Sequence, residues 1–195
     1  PNNFIIDWQI SKLMPGEMDK AVEKQVMRER DIELWEHIDT QGSPDILYNA
    51  RPNPFIGGVS LYPDDVKLNY AYYTKTVVPD MGAKPEGQKL FINFEGLDAI
   101  SDVYVVGKNG KTMTAHHPEN SPWCGHYRPQ FYVDADEFEP GEEVEIWVFV
   151  IDAVRVTGIG WPVHWDFKTQ AEVDAWVERE KREWDYHNYK AFLKK

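Results

Sequence analysis

The sequence predicts a mainly β protein, an antiparallel β-sandwich with one α-helix towards each end. Three observations predict it. Between Lys89 and Asp152 apolar residues recur with a period of two: Leu90, Ile92 and Phe94 alternate with Phe91, Asn93 and Glu95, and Val144, Ile146, Val148 and Val150 alternate with Glu145, Trp147, Phe149 and Ile151. That period sends alternate side chains to opposite faces of a sheet. Turn formers punctuate the runs at Glu95-Gly96-Leu97-Asp98, Lys108-Asn109-Gly110 and Glu139-Pro140-Gly141-Glu142. Towards the two ends, around 17–37 and 169–190, apolar residues recur every three or four positions instead, which is helical spacing.

Taken in order, the chain opens on Phe4-Ile5-Ile6-Asp7-Trp8-Gln9-Ile10, a short strand or extended arm that is apolar on both faces. Such an arm has to dock, either on the sandwich or on another subunit. Pro15 suits the first position of a helix, and Glu17 and Asp19 in its first turn suit the helix dipole. Met18, Ala21, Val22, Val26, Ile32, Trp35 and Ile38 then predict an amphipathic helix to about His37, closed near Gln41-Gly42. Residues 43–69 carry Pro44, Pro52, Pro54, Gly57, Gly58 and Pro63, and read as an ordered loop with one short strand. Tyr62, Tyr70, Tyr72 and Tyr73 bring aromatics into the first sandwich strand, and Val103–Val106 make a further apolar run. Past the last strand, Thr169-Gln170-Ala171-Glu172 is a capping box opening a helix towards Lys190. The chain thus reads as one domain: 1–42 arm and helix, 43–167 sandwich, 168–195 helix.

Composition narrows the function. With 195 residues, 42% hydrophobic and 14% aromatic, the chain can build a packed core, which excludes wholesale disorder. A formal charge of −12 argues against a nucleic-acid backbone or an anionic membrane as partner. The single cysteine, Cys124, rules out an internal disulfide and a cysteine-built zinc site, and is more in keeping with a buried thiol than a nucleophile. No apolar run approaches the roughly 20 residues of a membrane span. No basic stretch followed by an apolar core opens the chain, so a cytoplasmic protein is expected. Pro1 fits either a removed initiator Met or a trimmed leader.

Tyr72-Tyr73-Thr74-Lys75-Thr76-Val77-Val78-Pro79 resembles the first recognisable strand of the sugar-binding domain of family 2 glycoside hydrolases. Leu90-Phe91-Ile92-Asn93-Phe94-Glu95-Gly96-Leu97-Asp98, with Asp102-Val103-Tyr104-Val105 after it, is similar to that family's FEGVD…VYVNGK strand pair. Gly125-His126-Tyr127-Arg128-Pro129-Gln130-Phe131-Tyr132-Val133-Asp134-Ala135 resembles its GG-x-x-PF-x-x-DVT strand, and Pro140-Gly141-Glu142 its PGEN turn. The resemblance covers roughly 70–152. It implies a galactose-binding-like jelly roll that recognises a carbohydrate or glycoside, alone or as the accessory subunit of a sugar-processing enzyme. In one departure, Val106 stands where the family has Asn before Gly107, so the polar or turn role of that Asn is absent or moved.

Residues 112–129 hold three of the six histidines, the only cysteine, Trp123 and Arg128. A sugar presents apolar faces edged by hydroxyls, so a site for it needs a flat aromatic and convergent donors and acceptors. Trp123, His126, Tyr127 and Arg128 supply that mixture, with Asp98 as a hydroxyl acceptor; these are the expected ligand-binding residues. The alternative is an enzyme, a lyase or hydrolase of a glycoside or aromatic substrate. Its acid/base groups would come from His116, His117, His126 and His164, with Tyr127 or Arg128 stabilising negative charge. No cofactor is expected. A divalent metal at His116, His117, His126 and Glu119 is the weaker reading, because their spacing matches no metal motif. Asp102, Asp134, Asp136, Glu137 and Glu139 likewise lack a calcium-loop pattern. Gly57-Gly58 and Gly158-Ile159-Gly160 lack the context of a phosphate cradle. Trp161, Trp165, Trp176 and Trp184 read as a helix pinned to a sheet rather than a cleft. The apolar ends, 1–14 and 168–195, are the expected contacts in a homo-oligomer or with a heteromeric enzyme partner.

Overall fold

The structure, a computed structural model, describes residues 3–12, 20–29, 31–32, 36–39, 55–56, 59–60, 69–98, 100–117, 130–151, 158–159, 162–179 and 182. Strands β1 (Phe4–Ile5) and β2 (Asp7–Lys12) come first, then helix α1 (Lys20–Glu29) and strand β3 (Glu36–Asp39). The short strands β4 (Phe55–Ile56) and β5 (Val59–Ser60) pair with each other. The central strands are β6 (Asn69–Val77), β7 (Gln88–Phe94), β8 (Leu97–Asp98), β9 (Ile100–Gly107) and β10 (Thr112–His117). They continue as β11 (Phe131–Asp134), β12 (Glu143–Ile151), β13 (Gly158–Ile159) and β14 (Val163–Thr169). A second helix, α2, covers 170–179.

Ten of these strands form two antiparallel sheets, one of four in the order β1-β14-β7-β11 and one of six in the order β10-β9-β12-β6-β2-β3; β8 and β13 pair apart from them, as β4 and β5 do. The alternation in the sequence decides which side chains lie between them. Val144, Ile146, Val148 and Val150 of β12 join Val103 and Val105 of β9, Tyr72 of β6, and Leu90, Ile92 and Phe94 of β7 in one buried core. Each such side chain taken from water contributes about 1.5–3 kcal/mol before the entropy of ordering it is subtracted. Turn chemistry follows the sequence too: Gly110 and Gly141 take φ of +76° and +85°, a region open to glycine without a Cβ penalty.

The arm docks on the sandwich, and does so twice. β1 lies on an edge of the four-stranded sheet, beside β14, and β2 pairs with β6 in the other. Trp8 is fully buried in the core, its Nε1 donating to Ile5 O at 3.0 Å. Asn3 clips the arm to β14: its Nδ2 donates to Trp165 O, and Trp165 N donates to Asn3 O, both at 2.8 Å.

The first helix is shorter than its periodicity predicts. Glu36–Asp39 is a strand, pairing Trp8 with Ile38 and Gln9 with His37. Gln9 Nε2 also donates to Ile32 O at 2.7 Å, ahead of that strand. An Ile at a helical interval is equally an Ile in an alternating tetrapeptide, and the open edge of β2 resolves the ambiguity in favour of the strand.

The outer face of the six-stranded sheet is aromatic. Ala71, Tyr73, Tyr104, Trp147 and Phe149 cluster there, with Val26 and Met27 of α1, Ile32 and Val106 packed on them. The departure from the family pattern at Val106 therefore serves apolar packing. Buried Glu23 of α1 accepts from Tyr104 Oη at 2.6 Å. Burial, then the bond to Glu23 and its charge, push the Tyr104 hydroxyl far above its ordinary range. Burial and neighbouring Glu145 push Tyr73 up to about 12.

Helix α2 begins with the expected capping box: Thr169 N donates to Glu172 Oε2 at 2.7 Å, and Glu172 N to Thr169 Oγ1 at 3.1 Å. Its first residue, Gln170, accepts from Lys89 Nζ at 3.2 Å, so the helix starts beside β7. No helix among the described residues is long and apolar enough to cross a membrane.

Candidate functional site

Strand β7 is buried along both faces, which gives its outward positions unusual surroundings. Leu90, Ile92 and Phe94 point into the core, so Phe91 and Asn93 point outward. Pairing then builds a row across the outer face of the four-stranded sheet: Phe4 lies beside His164, His164 beside Asn93, and Asn93 beside Tyr132. Four strands thus bring an exposed aromatic, an imidazole, an amide and a phenol into one line.

Hydrogen bonds join the row. Gln130 Nε2 donates to Asn93 Oδ1 and to Tyr132 Oη, both at 3.0 Å. With its oxygen committed to Gln130, the Asn93 amide turns its Nδ2 towards His164 Nε2, 3.2 Å away. Glu95, two residues further along the same face of the chain, places Oε1 3.3 Å from that nitrogen. One imidazole nitrogen therefore has an amide donor and a carboxylate acceptor as neighbours. As an unprotonated acceptor it pairs with Asn93; carrying a proton, it pairs with Glu95. Asn93 is 2% exposed, whereas the His164 and Glu95 side chains are 14% and 38% exposed. The amide is an anchor, Glu95 faces water, and His164 lies part-buried between them. On the far side of His164, the Phe4 ring lies 5.6 Å away, tilted by 53°.

This row stands at one end of the sandwich. The register puts Phe94 of β7 between Val163 and Phe131, so β7 ends where β14 and β11 begin. β9 starts and β12 and β10 stop at that same end, with Ile100 opposite Ile151 and Ser101 opposite His117. Asp98, in β8, pairs with Gly158 there.

Of the residues singled out in the sequence, His164 enters the row. His116 and His117 are the last two residues of β10, opposite Asp102 and Ser101, on an edge of the other sheet. Glu119, Trp123, Cys124, His126, Tyr127 and Arg128 lie outside the described residues, as do Trp161 and Trp184. Sequence reasoning passed over Asn93, Glu95, Gln130, Tyr132 and Phe4 as functional groups. One signal was available: Asn is disfavoured within strands, and Asn93 interrupts an otherwise apolar run, Leu90-Phe91-Ile92-Asn93-Phe94. Among the described residues no three metal-type side chains converge. Asp136 and Glu137 each meet a lysine, Lys84 at 2.8 Å and Lys111 at 2.9 Å, and Asp134 pairs with Lys89. Partial burial raises the Asp136 carboxyl, but the bonds from Lys84 and the Leu90 amide and the charges of Lys84 and Lys89 outweigh it, holding it below the usual carboxylate range.

No family model matches this sequence, and no curated protein does. Solved structures do. A β-glucuronidase from an uncultured Clostridium species is similar at a TM-score of 0.50 and 15% identity, over 87% of this chain and 29% of that one. A putative β-galactosidase from Bacteroides fragilis matches at 0.49 and 22% identity, over 87% and 23% of the two chains. A family 2 glycosyl hydrolase from Bacteroides cellulosilyticus DSM 14838 matches at 0.49 and 16%, over 86% and 20%. The chain spans less than a third of the length of each. At such identities the likeness concerns fold alone: the sandwich expected from the resemblance of residues 70–152 is shared with the β-glucuronidase.

Proposed function

We propose that this jelly roll recognises a carbohydrate or glycoside through the row centred on Asn93, alone or as the accessory unit of a sugar-processing enzyme. The observation that carries the reading is the row itself. A buried amide orients an imidazole beside a water-facing carboxylate, next to an exposed aromatic ring. Sugar hydroxyls donate and accept at once, so they match a carboxylate acceptor set against an imidazole and a phenol. The likeness of fold to a β-glucuronidase supports the reading. Tyr127 and Arg128 lie three and two residues before Gln130 in sequence, so they and the rest of the group, Asp98, Trp123 and His126, stay proposed as further contacts.

The test is binding of the intact chain to an array of immobilised neutral and acidic oligosaccharides, with His164→Ala alongside. Binding by the wild type that His164→Ala abolishes is the expected result. A wild type that binds nothing, or a variant that binds equally well, refutes it.

The His164–Glu95 approach of 3.3 Å also favours a second reading, an acid/base pair in an enzyme of its own. Release of nitrophenol from nitrophenyl glycosides by the wild type, lost in His164→Ala, would select it.

A further inference from the structure

We infer that Phe4, on the N-terminal arm, is the stacking platform of this site, and that the ligand is a pyranoside lying with its C–H face on that ring and a hydroxyl between Glu95 and His164. The inference rests on the proposed carbohydrate reading and adds a residue and a pose to it. Among the described residues the exposed large apolar side chains are Phe4, Val77 and Val177, and only Phe4 is aromatic. Its ring is 43% exposed although the next residue, Ile5, is buried in the core. Strand register sets it beside His164, and the Asn3–Trp165 clip holds the strand that carries it. The ring is therefore fixed in place at the edge of the polar row.

An apolar surface ending at a carboxylate and an imidazole restricts what fits. A wholly apolar ligand would strip water from Glu95 and His164 without replacing its hydrogen bonds. A small polar ion would make no use of the exposed part of the ring. A pyranoside presents polarised C–H bonds on one face, which suit the electron-rich face of an aromatic ring, and hydroxyls around its rim. One such hydroxyl can donate to Glu95 while accepting from His164 when Nε2 carries the proton.

The same oligosaccharide array tests this with the intact chain carrying Phe4→Ala, Phe4→Leu or Phe4→Trp, each checked for an unchanged thermal melt. Phe4→Ala and Phe4→Leu should weaken the best wild-type binding about tenfold, and Phe4→Trp should hold or strengthen it. Phe4→Leu keeps β1 apolar without a ring, so it answers the question even if the alanine variant is unstable. Wild-type affinity in a folded Phe4→Leu while His164→Ala loses binding would overturn the platform and leave the polar row standing. A folded Phe4→Trp that binds no better than Phe4→Ala would also overturn the platform. No wild-type binding at all would remove both.

Discussion

Replacing Asn93 with alanine attacks the anchor of the site and has a cost that the geometry lets one estimate. The amide is 2% exposed and makes two described hydrogen bonds, from Gln130 at 3.0 Å and towards His164 at 3.2 Å. Each neutral hydrogen bond contributes about 1 kcal/mol net, so about 2 kcal/mol is at stake. The groups left behind are not stranded. Gln130 still donates to Tyr132, His164 still has Glu95, and both are part-buried rather than sealed. Rehydration pulls the cost below the sum, and the void left by the lost amide adds to it, so a value of 1–2 kcal/mol, roughly, is expected. Urea denaturation measures it as a lowered midpoint with an unchanged slope. The same variant should lose oligosaccharide binding, because nothing then holds the His164 ring in place beside Glu95. A change in stability within about 0.5 kcal/mol of zero would refute the anchoring role. A destabilised variant with wild-type binding would reduce Asn93 to a structural residue.

Two further outcomes are expected. Tyr104→Phe removes the 2.6 Å bond to buried Glu23 and should cost about 1–3 kcal/mol, read as a lowered midpoint in urea denaturation. Asp136 has a folded value below its ordinary 3.8, so its contribution to stability is present above that value and is lost as pH falls through the lower, folded one. Asp136→Asn should accordingly flatten the acid limb of the melting-temperature profile, and an unchanged limb would assign acid sensitivity to other carboxylates.

The architecture was legible because its signals are local. Alternation in β7 and β12 names the inward residues without reference to any partner, and the capping box at Thr169–Glu172 and the glycines at 110 and 141 act within a few bonds of themselves. Where two local signals competed, at Glu36–Asp39, only the open edge of β2 decided between them. Asn93 advertised itself as a misfit in an apolar run, but not what it would meet.

The sequence alone determined a two-layered β protein, its inward faces, its turns and the start of its last helix, because periodicity and capping depend on neighbours along the chain. Tertiary structure decided the site: Phe4, Asn93, Gln130 and His164 come from four separate stretches that meet only when β1, β14, β7 and β11 pair in one register. A one-residue slip in that register would turn each of these side chains into the core, and no spacing in the sequence records it.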